Sequence, residues 1–139
     1  MDEQREWTLG GHRAWFEAPD ILWARFNGPT DEECSRWSVG IYRELGERQR
    51  FYLAADIGNS MLSPESRKYL VEHSKARWFH AIVYIGAGLE QKAATKSLTV
   101  ASMLNGNEPH DVHYADTAEQ AREWIAAHRA RRAPQQKTG

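Results

Sequence analysis

Hydrophobic and polar positions alternate early in the chain in the way that β-strands require. Between His12 and Ala18, Ala14 and Phe16 share one face, and a second apolar run follows from Ile21 to Phe26. The short Pro19-Asp20 turn between these runs favours an antiparallel hairpin. Three later apolar runs are bounded by polar residues and predict further strands, at residues 50–57, 77–87 and 110–115.

Helical spacing of apolar residues, with start and stop signals, predicts four helices between and after these strands. Thr30 and Glu33 have the spacing of a capping box, and Gly46 is placed to end the first helix. Ser63 followed by Pro64 favours the start of the second helix, which we expect to reach about residue 76. The third helix is predicted at 89–104 and the fourth from a cap at Asp116 or Thr117. In the third helix, five apolar residues are available for one face: Leu89, Ala93, Leu98, Ala101 and Leu104.

The predicted order of elements is ββαβαβαβα, which defines an α/β fold. Strands that alternate with helices form a mostly parallel sheet through right-handed crossovers, and the opening hairpin adds an antiparallel edge. We therefore predict one domain, with a five-stranded mixed sheet and four helices, over residues 12–128. A polar segment, 1–11, precedes it, and a basic flexible tail, 129–139, follows it.

Composition and charge exclude several classes of function. The chain has 139 residues and a net charge of −1, so as a whole it does not attract nucleic acid electrostatically. It contains no apolar run of the roughly 18 residues that a membrane span needs, and its charged N-terminus lacks the apolar region of a signal peptide. The single cysteine fits a reducing compartment. We therefore expect a cytoplasmic protein with no transmembrane segment and no nucleic-acid partner.

The sequence shows no pattern typical of an enzyme, a cofactor site or a metal site. His110 and His113 are three residues apart, which on a strand directs them to opposite faces. His80 lies inside an apolar strand and is interpreted as a core histidine, and Cys34 as a small hydrophobe on a helix. We therefore predict a non-enzymatic protein with no catalytic residue, no metal and no cofactor.

The segment between Asp56 and Arg67 is the best candidate for a binding site. Asp56 ends a central parallel strand, and ligands of open α/β sheets bind at that edge. A phosphate near the start of the next helix would meet free backbone N–H groups and the positive helix end. The alternative is that the serines, Ser63 above all, only cap the helix. The candidate set for partner binding or a phospho-switch is Asp56, Ser60, Ser63, Glu65, Ser66 and Arg67.

Four tryptophans support a second hypothesis. Two lie on the predicted hairpin and two on helix faces, where they either fill the core or line a cavity for a lipid or another apolar ligand. The set is Trp15, Trp23, Trp37 and Trp124.

Several motifs resemble the STAS domain, and more closely the compact bacterial SpoIIAA-like proteins. The resemblance covers about residues 12–128 and rests on motifs in order. These are Gly-Pro-Thr-Asp-Glu-Glu at 28–33, a strand that ends in Leu-Ala-Ala-Asp at 53–56, Ser-Pro-Glu-Ser-Arg at 63–67, and the helix that follows Ala-Asp-Thr-Ala-Glu at 115–119.

The resemblance implies a regulatory protein-interaction module similar to anti-sigma factor antagonists. Its partner would be a kinase-type anti-sigma factor that docks on the Asp56–Arg67 segment and the following helix. Such antagonists carry Asp-Ser-Ser/Thr-Gly at this helix start, whereas this chain has Pro64-Glu65-Ser66-Arg67. Glu65 aligns with the phosphorylated serine and would mimic its charge, and Ser63 and Ser66 are neighbouring candidates for modification.

Overall fold

The chain folds into a mixed sheet with four α-helices in the order βββαβαβαβα. A computed structural model describes residues 5–108 and 110–138, with side chains described as far as Arg132. The strands are β1 (Glu6–Leu9), β2 (His12–Glu17), β3 (Ile21–Asn27), β4 (Phe51–Asn59), β5 (Phe79–Ile85) and β6 (Asp111–Ala115). The helices are α1 (Glu32–Gly46), α2 (Pro64–His73), α3 (Leu89–Leu104) and α4 (Ala118–Thr138), with a 3₁₀ turn at Ala76–Trp78.

The six strands lie side by side in their order along the chain. The β1–β2 and β2–β3 pairs are antiparallel, which confirms the predicted hairpin, and the β3–β4, β4–β5 and β5–β6 pairs are parallel. Because each crossover advances in the same direction with the same hand, α1, α2 and α3 share one face of the sheet. The fourth helix follows the last strand and packs on the opposite face, against β4, β5 and β6.

The prediction of five strands is wrong, because β1 adds a sixth. This strand lies inside the segment 1–11 that we expected to be polar, and it pairs with β2 from Glu6 opposite Trp15 to Leu9 opposite His12. Its side chains alternate between exposed and half-buried, with Trp7 and Leu9 packed against the core. Two apolar residues in an otherwise polar stretch are too short a pattern to indicate a strand. Residues 1–4 of that segment lie outside the described residues.

Three helix boundaries differ from the sequence prediction. Asp31, not Thr30, caps α1, and its carboxylate accepts a hydrogen bond from the backbone N–H of Cys34 at 2.9 Å. The second helix begins at the predicted Ser63 cap and ends at His73. The fourth continues to Thr138, so the predicted flexible tail is helical apart from residue 139, which lies outside the described residues.

Two apolar cores lie on the two faces of the sheet, and they are packed differently. Under α4 the core includes Ala121 and Ile125, each 0% exposed. On the other face the predicted apolar side of α3 is wrong at both ends, since Leu89 is 88% exposed and Leu104 is 84% exposed. The buried residue of α3 is instead Thr95. Five of the eight apolar residues of α3 are therefore exposed and lie outside the core.

Candidate functional site

A cavity of about 120 Å³ lies between the sheet and the three helices α1, α2 and α3. Strands β4 and β5 form its floor, with Leu53, Ala55 and Ile82 at the centre. The lining is mostly apolar carbon, and the cavity is partly open to solvent. The helices contribute its walls: Cys34, Ser35, Ser38 and Tyr42 from α1, Ser66 and Leu70 from α2, and Gln91, Ala94, Thr95, Leu98, Thr99 and Ser102 from α3.

Small side chains on the helix faces are the reason for the cavity. The buried face of α1 carries Cys34, Ser35 and Ser38, and α3 presents Ala94 and Thr95. Protein interiors are close-packed, so a row of small residues on facing elements leaves a space that large residues would fill. This row is the sequence signal for the site, and our sequence reasoning missed it because it looked for large aromatic residues.

Several polar side chains of the walls are hydrogen bonded to neighbouring residues and are not free donors or acceptors. The hydroxyls of Ser35 and Ser66 hydrogen bond across the α1–α2 contact. The Thr95 hydroxyl contacts the Gln91 carbonyl oxygen at 2.8 Å and the Tyr114 hydroxyl at 2.7 Å. Satisfied polar groups leave an interior that an apolar molecule can occupy without breaking hydrogen bonds.

The protonation state of the Cys34 thiol decides whether the cavity wall offers a nucleophile. Burial, and to a smaller extent Asp31 and Glu33, raises the pKa of its thiol to about 11. At neutral pH the sulfur is therefore a thiol, whereas a catalytic cysteine needs a thiolate. This agrees with its interpretation as a small hydrophobe and gives no support to a nucleophile here.

The two ends of the cavity differ. At the end near the carboxyl edge of β4, the Gln91 amide donates to the carbonyl oxygens of Ile57 at 3.3 Å and Ser60 at 3.1 Å. At the opposite end lies His110, whose two ring nitrogens are buried and have no hydrogen-bond partner among the described residues. Burial lowers the pKa of His110, so its imidazole is neutral at neutral pH.

The predicted Asp56–Arg67 segment borders this cavity. Ser60, which is buried, and Ser66, which is 1% exposed, both line it. Asp56 does not end its strand as predicted, because β4 continues to Asn59; its carboxylate accepts from the Gly58 N–H at 3.2 Å and lies 3.6 Å from Arg25. The segment therefore brings Ser60 and Ser66 to the cavity and leaves Asp56 outside it.

The remaining candidates of the segment lie at the start of α2. Ser63 is the cap of the helix, and its hydroxyl accepts from the Ser66 N–H at 3.1 Å, as the capping alternative requires. Glu65 and Arg67 are exposed, and the Arg67 guanidinium donates to the Ser97 hydroxyl of α3 at 3.0 Å. The burial of Ser66 closes it to a kinase in this conformation, so Ser63 is the more accessible of the two predicted serines.

The four tryptophans do not form one pocket, which corrects the proposed aromatic lining. Trp15 and Trp23 stack with ring centroids 6.5 Å apart on the α4 face, and Trp124 stacks on His113 at 4.8 Å on that same face. Trp37 lies on the other face, against the α1–α3 core. None of the four lines the cavity. Spacing along the chain could not show which face of the sheet each ring would reach.

A hydrogen-bond chain on the α4 face escaped the sequence analysis. Nε2 of His128 donates to the Asp111 carboxylate at 2.7 Å, and Nδ1 is hydrogen bonded to the Tyr52 hydroxyl at 2.9 Å. The order of carboxylate, imidazole and hydroxyl resembles a catalytic arrangement. Tyr52, however, is 0% exposed, so no substrate reaches its hydroxyl. These two hydrogen bonds hold α4 to strands β4 and β6.

Two further features are absent from the described part of the chain. No group of three or more His, Cys, Asp or Glu side chains is placed to hold a metal ion there. No helix in the same residues combines the length and apolar character required to cross a bilayer.

No protein-family model matches this sequence, and no curated protein matches it significantly. The geometry of the site therefore carries the functional argument.

Proposed function

We propose that this protein is a non-enzymatic binding protein for a small apolar ligand, which it holds in the cavity between the sheet and α1–α3. The observation that carries the proposal is the mostly apolar space of about 120 Å³, in which several polar side chains of the walls are already hydrogen bonded. An engineered apolar cavity of about 150 Å³ in another protein stays dry and binds benzene, so this volume suits a short hydrocarbon.

The shape of the lining favours a chain over a ring. The lining residues extend along the sheet from Phe79, at the start of β5, to Ile57, near the end of β4. Phe79 pairs with Phe51 of the neighbouring strand β4. The lining therefore extends along β4 by the six residues from Phe51 to Ile57, which is about 20 Å at ~3.3 Å per residue. A space whose lining extends along two parallel strands fits a linear acyl or alkyl tail.

Hexanol is a suitable neutral probe. Burying about five CH₂ groups at ~0.8 kcal/mol each yields about 4 kcal/mol, which corresponds to a dissociation constant on the order of 1 mM. We expect hexanol to shift the amide NMR signals of Ser66, Ala94 and Leu98 with one common binding curve. Signals of Ala121 and Ile125, on the other face of the sheet, should not move.

A matched pair of variants tests the location. Ala94→Leu places a larger side chain in the cavity, whereas Ala93→Leu makes the same change at the adjacent, exposed position of α3. Hexanol binding should be lost in the first variant and retained in the second. Equal binding by both variants, or no shifts in the unmodified protein, would refute the proposal.

A second candidate function is protein interaction at the Asp56–Arg67 segment, as in the STAS-like regulatory module that the sequence resembles. The observation that favours it is an exposed apolar side chain, Met61, 44% exposed, beside the exposed charges of Glu65 and Arg67. Interaction surfaces combine apolar contacts with a charged rim. The cavity borders the same segment, so an occupied cavity would alter the surface that a partner contacts.

Charge reversal tests this second function. Glu65→Lys and Arg67→Glu should weaken binding to the protein's partner about tenfold and leave the melting temperature nearly unchanged, because both side chains are exposed. Lys68→Glu, on the next exposed position, serves as the control for charge alone. A large fall in melting temperature with either variant would mean that the segment is structural.

A further inference from the structure

A second concave surface adjoins the cavity at its His110 end. This groove, of about 320 Å³, lies at the edge of the sheet where β5 begins, and Ala76 of the 3₁₀ turn lines both spaces. Its other lining residues are Arg50, Lys75, Arg77, Gly106, Asn107 and Glu108. We call it the basic groove.

The basic groove is positive although the whole chain has a net charge of −1. It carries three cationic side chains, Arg50, Lys75 and Arg77, against one carboxylate, Glu108. None of the three cations forms an ion pair with a carboxylate of the described residues. Arg50 is held in place by a hydrogen bond from Nη2 to the Phe79 carbonyl oxygen at 2.8 Å.

His110 lines the cavity at the end that lies nearest the basic groove. Its ring lines the cavity, with its centroid 6.1 Å from that of Phe79, the residue whose carbonyl oxygen holds Arg50. Its two nitrogens are buried without a partner in the described part of the chain. A neutral imidazole has one donor and one acceptor. Both nitrogens are covered in the structure, and because unpaired buried polar atoms are costly, a turn of the ring that brings one of them to a polar ligand group is favoured.

We propose that the cavity and the basic groove together bind an anionic amphiphile, a short alkyl chain with a carboxylate or phosphate head. The tail occupies the apolar cavity, Arg50, Lys75 and Arg77 surround the negative charge of the head, and the His110 ring turns to donate to it. This inference rests on the proposed function, because it assigns the ligand class of the same cavity. Ala76 lines both spaces, and on that adjacency we treat them as one site.

Four ligands that share a six-carbon tail and differ in their head group test the inference. Hexanoate, hexyl phosphate, hexanol and hexylamine are each titrated into the full chain and followed by amide NMR signals of Ala94 in the cavity and Arg77 in the basic groove. We expect at least one of the two anions to bind roughly tenfold tighter than hexanol, the effect of one hydrogen bond to a charged group. Hexylamine should bind more weakly than hexanol. The tighter of the two anions identifies the head.

Variants that remove positive charge from the basic groove test its role in binding the anionic head. Lys75→Gln with Arg77→Gln should remove the preference for the anion and leave hexanol binding unchanged, since both side chains are exposed. Arg48→Gln with Lys68→Gln makes the same charge change at exposed positions outside both spaces. This control should change neither the preference for the anion nor the binding of hexanol.

The outcomes separate this inference from the proposed function. If hexanol and both anions bind equally, or the groove variant keeps the preference, the anionic head is refuted and the apolar cavity stands. If acetate or inorganic phosphate binds as tightly as the amphiphiles, the groove is a free-anion site and the combined site is refuted. If neither hexanol nor the anions shift the Ala94 signal, the proposed function fails and this inference fails with it.

Discussion

Two alanine-to-leucine substitutions distinguish the packing of the two faces of the sheet. Ala94 lies on α3 and lines the cavity, whereas Ala121 lies on α4, is 0% exposed and faces a filled core. Both replacements are in helices and have the same small propensity cost, so their difference reports only the space around each side chain.

Because of the cavity, we expect Ala94→Leu to raise the free energy of unfolding and Ala121→Leu to lower it. Leucine adds three carbons, which at ~0.8 kcal/mol each favour the folded state by about 2.4 kcal/mol, and lost rotamer freedom removes about 0.5–1 kcal/mol. Since the cavity is partly open to solvent, we expect Ala94→Leu to raise the free energy of unfolding by about 1 kcal/mol. At ~2.1 cal/mol/K per residue over 139 residues, the melting temperature rises by about 3 °C.

The same change in the filled core should destabilise the protein. Overpacking costs about 1–3 kcal/mol, so Ala121→Leu should lower the melting temperature by about 3–10 °C. Urea unfolding followed by circular dichroism measures both free energies, with an unchanged m-value as the check that unfolding remains two-state. If Ala94→Leu destabilises the protein as much as Ala121→Leu, the space under α3 is filled in solution and the reasoning about the cavity is wrong.

Three further predictions concern stability. Tyr52→Phe removes the hydroxyl bonded to the buried Nδ1 of His128, and urea unfolding should show a loss of about 1–3 kcal/mol; no loss would mean that this contact does not hold α4. Gly46→Ala places a Cβ against the buried ring of Trp78 and should cost about 2 kcal/mol by the same assay, although alanine in an open helix position would stabilise. Burial lowers the pKa of His80 from 6.5 to about 4, so stability present above pH 6.5 is lost as the pH falls towards 4, by up to about 3 kcal/mol. His80→Gln should flatten that part of the pH–stability curve, and an identical curve would contradict the assignment.

The asymmetry of the two faces has a functional consequence. The fourth helix is fixed by buried contacts and by ion pairs at its outer side, Arg122 with Glu17 at 2.5 Å and Arg129 with Asp20 at 2.5 Å. The third helix contributes one fully buried side chain, Thr95. An element with few buried contacts opens at lower cost than a packed one, so under the proposed function we expect a ligand to enter on the α3 side.

Local signals along the chain were sufficient for most of the fold. Ser63 and Pro64 marked the start of α2, and the apolar runs at β4 and β5 were long enough to identify central strands. These features depend on neighbouring residues only, through cap hydrogen bonds and side-chain periodicity. The edge strand β1 was missed because its pairing with β2 supplies what its own sequence does not.

The tertiary structure alone decided which of these residues form the site. The sequence indicated that Cys34 is a small hydrophobe on α1, but only the packing of α1 beside α2 and α3 places Ser35 and Ser38 with it in one wall of a cavity. It also determined that Arg50 and Arg77 are basic, whereas the meeting of their strand ends with His110 depends on the register of parallel strands. Periodicity specifies the face of one element, and a space between elements is a property of their combined packing.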